Sequence, residues 1–385
     1  MKIVDFELRD RAVEASWEDG RRETFHYIWL RDNLPASDNL DPSTGERMRD
    51  FHTLPADPKP SSLSLDDLGN LVIEWPDVGK AVAYRSDWLL ENAYSEAARA
   101  ERRSVIAGAE PWTFKTRAEA PVFGFDGIMA SPEAELDFLQ AFRAFGVAFL
   151  TGAPAKPGVV ESLARRIGYV REVAFGYIRE VRSAPAYDNV AFANHRVPPH
   201  IDAVNYAWPY DVQFLHCIAN EADGGDSWVV DGYEVAKRLK RQDPEAFDLL
   251  TRVKVDYRIG AGSHDVRHAA PVLSLGPDGE LLFVRFSNQQ RRILSVPHED
   301  VEPFYRAYRA FSAMLNDPAN HLSFRFQPGE VMMFNNHRVL HARDSFDPQT
   351  GMRHLQLGTT DIDMVDSRIR ILSKQLSQER KPAAE

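Results

Sequence analysis

Apolar and polar residues alternate through the first part of the chain, and turn-forming residues interrupt the alternation. In AVEASW-EDG-RRETFHY, from Ala12, and in NLVIEW-PDVG-KAVAYR, from Asn70, two alternating runs flank a short polar turn, the pattern of a β-hairpin. Between them, Pro35 to Leu63 is rich in Asp, Pro and Ser and reads as a surface loop. Ser86 precedes DWLLENAYSEAARAERR as an N-cap would, which predicts a helix leading away from a small β-rich domain. Ser131 and Pro132 open a second helix, SPEAELDFLQAFRAFG, whose apolar residues recur at helical spacing.

Beyond Gly146 the pattern changes to short apolar runs: VAFL, NVAF, VQFLHCI, SWVVDG, LLFVRF, VMMFNN and HLQLGTT. Their spacing predicts a double-stranded β-helix, or jelly roll, decorated by helices at VAKRLKRQ and VEPFYRAYRAFSAMLN. The expected fold is mainly β with α. Residues 1–95 read as the small β-rich domain, 96–120 as a helical linker and 121–385 as the jelly roll, with the closing QERKPAAE frayed.

A chain of 385 residues has room for two cores, and 44% apolar with 27% charged residues is ordinary for a folded protein in water. A formal net charge of -11 argues against a nucleic-acid partner but leaves small-molecule binding open. No apolar run approaches the roughly 20 residues that span a bilayer, and MKIVDFELRD lacks the apolar core of a signal peptide. A cytoplasmic protein with no membrane partner is expected. Cys217, the only thiol, lies in an apolar segment where a buried structural role outweighs a nucleophilic one, and it excludes both an intrachain disulfide and a cysteine zinc site.

Two His and one carboxylate on one face of an octahedron hold an iron while leaving sites open for a co-substrate and O2. The sequence signature is His-x-Asp followed much later by a lone His. In a chain with 12 histidines, His-x-Asp arises about once by chance, and here it occurs twice. His298 and Asp300 fall at the start of a predicted helix, where acidic groups complement its dipole. His200 and Asp202, in VPPHIDAVNY, follow a Pro-Pro stop and could both leave one face of an extended chain. From these residues alone, a hydrogen-bonded pair at a strand end is as good a reading as a metal site. For the third ligand, His341 is a better candidate than His337 or His354, because it ends an apolar VL pair and precedes the strand that carries Arg353. A buried Arg353 could pair bidentately with the far carboxylate of a dicarboxylate chelating the metal; alone, a structural salt bridge would be preferred.

Taken together these segments resemble the 2-oxoglutarate-dependent oxygenases of the γ-butyrobetaine hydroxylase and trimethyllysine hydroxylase type, within the larger taurine dioxygenase group. The resemblance runs through WLRDN (Trp29 to Asn33), VIEWPD, FLHCI, GGDSWVVDG, PGEVMMFNNHRVLHARDSFD, RHLQ and DSRIRIL, nearly the whole chain. It implies Fe(II) held by His200, Asp202 and His341, and 2-oxoglutarate bound by Arg353, with Asn189 and Leu215 lining its site and Ser227 a further candidate. It also implies O2 as co-substrate, succinate and CO2 as co-products, and a homodimer.

Two departures matter. Where the family places zinc ligands, this chain has Leu34, Ala36, Asn39 and Gly79, so no zinc is expected. Where the family surrounds a trimethylammonium group with aromatic faces, Phe175 and Phe192 match and Tyr177 and Tyr206 lie close, but Arg179 and Thr359 stand at aromatic positions. Asn288 matches a residue that would receive the substrate's anionic head. Arg291 and Arg292 follow it; they could answer a carboxylate or a phosphonate, but such a pair is more often a solvated strand end. The expected activity is hydroxylation of a small zwitterion: a betaine-like carboxylate first, its trimethylaminoethylphosphonate counterpart second. Further alternatives are a related oxygenase acting on a sulfonate or amino acid, and a non-catalytic sensor retaining the iron site.

Overall fold

In the computed structural model, both alternating runs near the N-terminus form hairpins: Ala12–Trp17 pairs antiparallel with Arg22–His26, and Leu71–Glu74 with Ala81–Tyr84. The structure describes residues 1–36, 39–41, 43–173, 176–182, 194–261, 264–277 and 279–379. Contacts divide the chain after Val105 into two units. In the first, each hairpin gains a third strand, Ile3–Leu8 and Ser62–Leu65 respectively. Inward residues of both sheets form one core around Trp17, Phe25, Trp75 and Tyr84. Burying each such side chain contributes roughly 1.5–3 kcal/mol. Trp75 Nε1 donates to Tyr84 Oη, which donates to the Leu30 carbonyl, so the polar ends of the buried rings are satisfied. Leu34 belongs to this core, and the Asn39 amide donates to the carbonyls of Asp32 and Leu34.

The helix expected from Ser86 is broken in two. Ser86–Glu91 ends at Asn92, and Ser95 caps a new helix, Glu96–Ser104, by accepting from Ala98 N. Ser86 is not a cap: it is buried, and its hydroxyl donates to the Met1 carbonyl.

In the second unit, ten strands form two sheets: β1 (Val122–Gly124), β2 (Val147–Thr151), β3 (Ile178–Arg182), β4 (Val197–His200), β5 (Val212–Asn220), β6 (Ser227–Asp231), β7 (Leu322–Phe324), β8 (Val331–Asn335), β9 (Val339–Arg343) and β10 (Arg353–Thr360). The larger sheet has the order β1-β2-β8-β5-β10-β3 and the smaller β4-β9-β6-β7. From β3 onward the chain passes back and forth between them, which is a double-stranded β-helix. The helices α1 (Pro132–Phe145), α2 (Val159–Ile167) and α6 (Ile362–Glu379) cover the outer face of the larger sheet, packing Phe138, Phe142, Leu163 and Ile369 on Phe214 and Met333. Its inner face meets the smaller sheet through Phe149, Cys217, Val229, Phe324, Met332 and Leu355. A sheet covered on both sides needs apolar residues at every position, which is why VAFL and VMMF are continuous.

The connection from β6 to β7 holds α3 (Gly232–Gln242), α4 (Pro244–Arg252), two hairpins and α5 (His298–Asn316), with their own core around Phe247, Val255, Phe286, Phe304 and Phe311. The LLFV run, expected in the roll, lies here, paired with Leu273–Leu275. The NVAF run and the last six residues of the tail lie outside the described residues. Among those described, no helix is long and apolar enough to cross a membrane.

One buried ion pair ties the roll to its surroundings. Asp231 ends β6, caps α3 through Tyr233 N, and accepts from Arg338 Nε and Nη2 at 3.0 and 2.8 Å and from Trp112 N at 3.0 Å. Arg338 also donates to the carbonyls of Ala144 and Glu110. Gly146, at φ +71°, lets the chain pass close to this arginine; a Cβ there would lie 2.9 Å from Arg338 Cδ. Arg338→Met leaves Asp231 buried and unpaired, and the expected loss is about 3–5 kcal/mol, read from denaturant unfolding.

Candidate active site

The site forms where β4 lies against β9. The two strands pair antiparallel with His200 directly opposite His341, and on the other side of β9 His341 faces Val229 of β6. Pro198 and Pro199 stand inside β4, not before it. They are tolerated because β4 is the edge of the smaller sheet and its register with β9 shifts between Val197 and His200, so neither missing N–H breaks a paired rung. Asp202 therefore lies in the turn after the strand and not on an extended segment.

Two anchors hold that turn. Asn336, fully buried, accepts from Asp202 N at 2.9 Å through Oδ1 and donates through Nδ2 to the carbonyls of Asp202 at 3.0 Å and Tyr210 at 2.9 Å. Arg285, also buried, donates to the carbonyls of Val204, Tyr206 and Ala207. Between these anchors Ala203 sits at φ +59°, a left-handed conformation that costs a residue with a Cβ on the order of 1–2 kcal/mol.

The result is convergence. One ligating atom each from His200, Asp202 and His341 lie within 4.8 Å of one another. His200 Nε2 is 3.4 Å and His341 Nε2 3.9 Å from Asp202 Oδ1. His200 Nδ1 is 3.0 Å from the Pro198 carbonyl, and Tyr210 Oη donates to Asp202 Oδ2 at 3.3 Å. Burial opposes ionisation of Asp202, but the hydrogen bond with His200 and the neighbouring cationic groups outweigh it and hold the carboxyl below its usual range. Burial, aided by His200, pushes His341 down to about 3. A neutral imidazole at His341 and an ionised carboxylate at Asp202 are the forms in which these groups ligate Fe(II), so the His–Asp–His donor set fits the metal.

The three face a cavity of about 440 Å³. Leu215, Ser227, Phe326, Met332 and Leu357 line it, with Ser287, Gln289 and Gln290 on a further wall. Arg353 opens β10 into it. Its Nε is buried with no hydrogen-bond partner, and burial together with repulsion from Arg343 brings its pKa down to about 9. Arg343 shares the cavity but donates to the carbonyls of His195 and Asp344.

Of the residues singled out in the sequence, His200, Asp202, His341, Arg353, Leu215 and Ser227 thus meet at one cavity. Tyr206 lines a small adjoining recess with Arg179, Asp202, Tyr210 and Gln290. Tyr177 is exposed and off the cavity wall. Asn288 and Arg291 do not line this cavity: they line a second one, where Arg291 lies over the rings of Tyr305 and Tyr308 of α5. Their neighbours Ser287, Gln289 and Gln290 point to the metal site instead. Thr359 also points elsewhere, donating to the Arg171 carbonyl. Phe175, Asn189 and Phe192 lie outside the described residues. His337 packs on Trp208 and Phe283 with Nε2 3.0 Å from the Pro209 carbonyl, His354 pairs with Glu180, and Asp300 pairs with Arg252 at the start of α5. Asn336, Tyr210, Arg285 and Arg343 were not identified from sequence. Asn336 alone carried a signal, as a polar residue in FNNHRVLH beside a ligand candidate.

Residues 110–359 match a family model described as taurine catabolism dioxygenase TauD, TfdA family, and residues 4–90 match one described as gamma-butyrobetaine hydroxylase-like, N-terminal. Gamma-butyrobetaine dioxygenase of Pseudomonas sp. (strain AK-1) is 35% identical over 363 residues, covering 94% of each chain. The Homo sapiens gamma-butyrobetaine dioxygenase is 32% identical, covering 94% of this chain and 95% of that one. The mitochondrial trimethyllysine dioxygenase of Rattus norvegicus is 31% identical, covering 86% of this chain and 78% of that one. The protein is an Fe(II)- and 2-oxoglutarate-dependent dioxygenase. It belongs to the TauD, TfdA family.

Asn336 touches no ligating atom but positions Asp202. Asn336→Ala is expected to weaken Fe(II) affinity about 10–100-fold, measured by competition with a chelator.

Proposed function

We propose that this chain hydroxylates a small betaine-like zwitterion, with Fe(II) held by His200, Asp202 and His341 and the far carboxylate of 2-oxoglutarate paired with Arg353. The observation that carries the reading is that the three ligating atoms and an unsatisfied buried guanidinium open onto one cavity. The relatives named above, which act on betaine-like amines by name, support the substrate class.

The overall reaction is substrate C–H plus 2-oxoglutarate plus O2, giving substrate C–OH, succinate and CO2. Fe(II), when bound, supplies the redox chemistry that couples decarboxylation to hydroxylation. The protein supplies position and environment. Arg353 fixes one end of the dicarboxylate through a planar fork and so sets which way its 2-oxo acid end points. Leu215 and Ser227 border that path, and Phe326, Met332 and Leu357 present apolar walls that keep water from the reacting atoms. Asn336 and Arg285 keep Asp202 from drifting as ligands exchange.

Anaerobic titration of the Fe(II)-loaded protein with 2-oxoglutarate tests this directly: a visible charge-transfer band is expected, perturbed by γ-butyrobetaine. Trimethylaminoethylphosphonate run in parallel separates carboxylate from phosphonate. No band in folded, iron-loaded protein would remove the enzymatic reading in favour of a sensor. His200→Ala and Asp202→Ala are each expected to abolish turnover with little change in melting temperature; turnover surviving in either removes that ligand. Arg353→Ala should weaken 2-oxoglutarate binding about 10–100-fold, as loss of a charge-assisted pair does, and an unchanged affinity would refute its role.

A further inference from the structure

A second guanidinium reaches the cavity with one of its nitrogens unpartnered. Arg179 lies on β3, the edge strand of the larger sheet, opposite Leu357 of β10. Its side chain contributes to the cavity wall with His200, Asp202 and Gln290, and to the adjoining recess with Tyr206 and Tyr210. The guanidinium carbon is 5.3 Å from the centre of the Tyr210 ring. Nη2 is buried and has no hydrogen-bond partner, and the same holds for Oε1 of Gln290 beside it. Burial opposes the charge of Arg179, but Tyr210 and the charge of Asp202 outweigh it and favour the cationic form. No salt bridge joins Arg179 to Asp202, whose oxygens face His200, His341 and Tyr210.

A buried N–H of a cation left without an acceptor is costly unless an anion arrives to meet it. The cavity therefore carries two guanidinium groups with an unpartnered buried nitrogen, Arg353 of β10 and Arg179 of the neighbouring β3. One turnover takes one molecule of 2-oxoglutarate, whose far carboxylate occupies one of them. The other remains for the substrate. A guanidinium is also the wrong wall for a quaternary ammonium, since like charges repel in a desolvated site.

We propose that Arg179 receives the anionic end of the substrate, which enters with that end toward the Arg179 and Gln290 wall and its ammonium directed away from it. This deepens the betaine reading and rests on it only for the identity of the cationic end.

The test uses the intact protein loaded anaerobically with Fe(II) and 2-oxoglutarate, with the charge-transfer band as readout. Three probes are titrated: γ-butyrobetaine; 5,5-dimethylhexanoate, its carbon isostere with the carboxylate but no ammonium; and the primary amide of γ-butyrobetaine, with the ammonium but no carboxylate. Both carboxylates are expected to perturb the band at concentrations at least about tenfold lower than the amide. Arg179→Met should remove that preference while leaving 2-oxoglutarate affinity and melting temperature unchanged, and Arg179→Lys should retain part of it. Equal binding of amide and carboxylates by the unmodified protein overturns the proposal even if the variants fail to fold, as does a response to none of the three. An Arg179→Met variant that keeps the preference, or loses 2-oxoglutarate affinity, overturns it too. If the carboxylates bind through Arg179 but no betaine is hydroxylated when O2 is admitted, the betaine reading falls and the assignment of Arg179 stands.

Discussion

Antiparallel pairing of β4 with β9 puts His200 and His341 side by side, with ring centroids 4.3 Å apart, and the rest of the site is arranged around that pair. Side chains alternate faces along a strand, so a slip of one residue would turn an imidazole out of the cavity. The register is held from both directions, because β9 is also bonded to β6 along its length. Asp202 has no ladder of its own to place it. Asn336, at the start of the turn leading into β9, reaches across to bond both the N–H and the carbonyl of Asp202, so all three donors are referred to the same piece of backbone.

The inner strands of the larger sheet, β2, β8, β5 and β10, were readable from the sequence because they are covered on both faces and show as unbroken apolar runs. Of the smaller sheet, β6 was readable in the same way, as SWVVDG, and its neighbours were not. β4 reads VPPH and β7 is three residues long, so neither carries a period that distinguishes it from loop. That is why His200 was legible as a ligand through its spacing to Asp202, while the strand beneath it was misjudged as a stop and the turn as extended chain. The same limit explains Asn288: sequence similarity located the correct segment, but parity along an irregular segment decides whether a side chain meets the metal site or α5, and Ser287 and Gln289 took the inner positions. Arg179 was visible only as an arginine where an aromatic was expected; its unsatisfied state required three dimensions.

The charge of the cavity is opposite to that of the molecule. A chain with a formal net charge of -11 folds three arginines, Arg179, Arg343 and Arg353, into one desolvated space beside a single metal-binding carboxylate. Over the distances within the cavity these local charges are little screened, whereas the acidic exterior is separated from them by solvent and salt. Overall charge is therefore informative about macromolecular partners and silent about the small anions that the site accepts.

The two prolines of β4 have an effect beyond the chemistry. A sheet edge offers its N–H and carbonyl groups to any strand that reaches it, and this edge, which carries a metal ligand, has no exposed residue in the folded chain. Pro198 and Pro199 offer no N–H there, so a foreign strand cannot complete a ladder along it. Their fixed backbone angles also narrow what the segment can sample when unfolded, so less conformational freedom is lost as it docks. The strand that brings His200 into place thus lacks donors for edge-to-edge aggregation even when its cover opens.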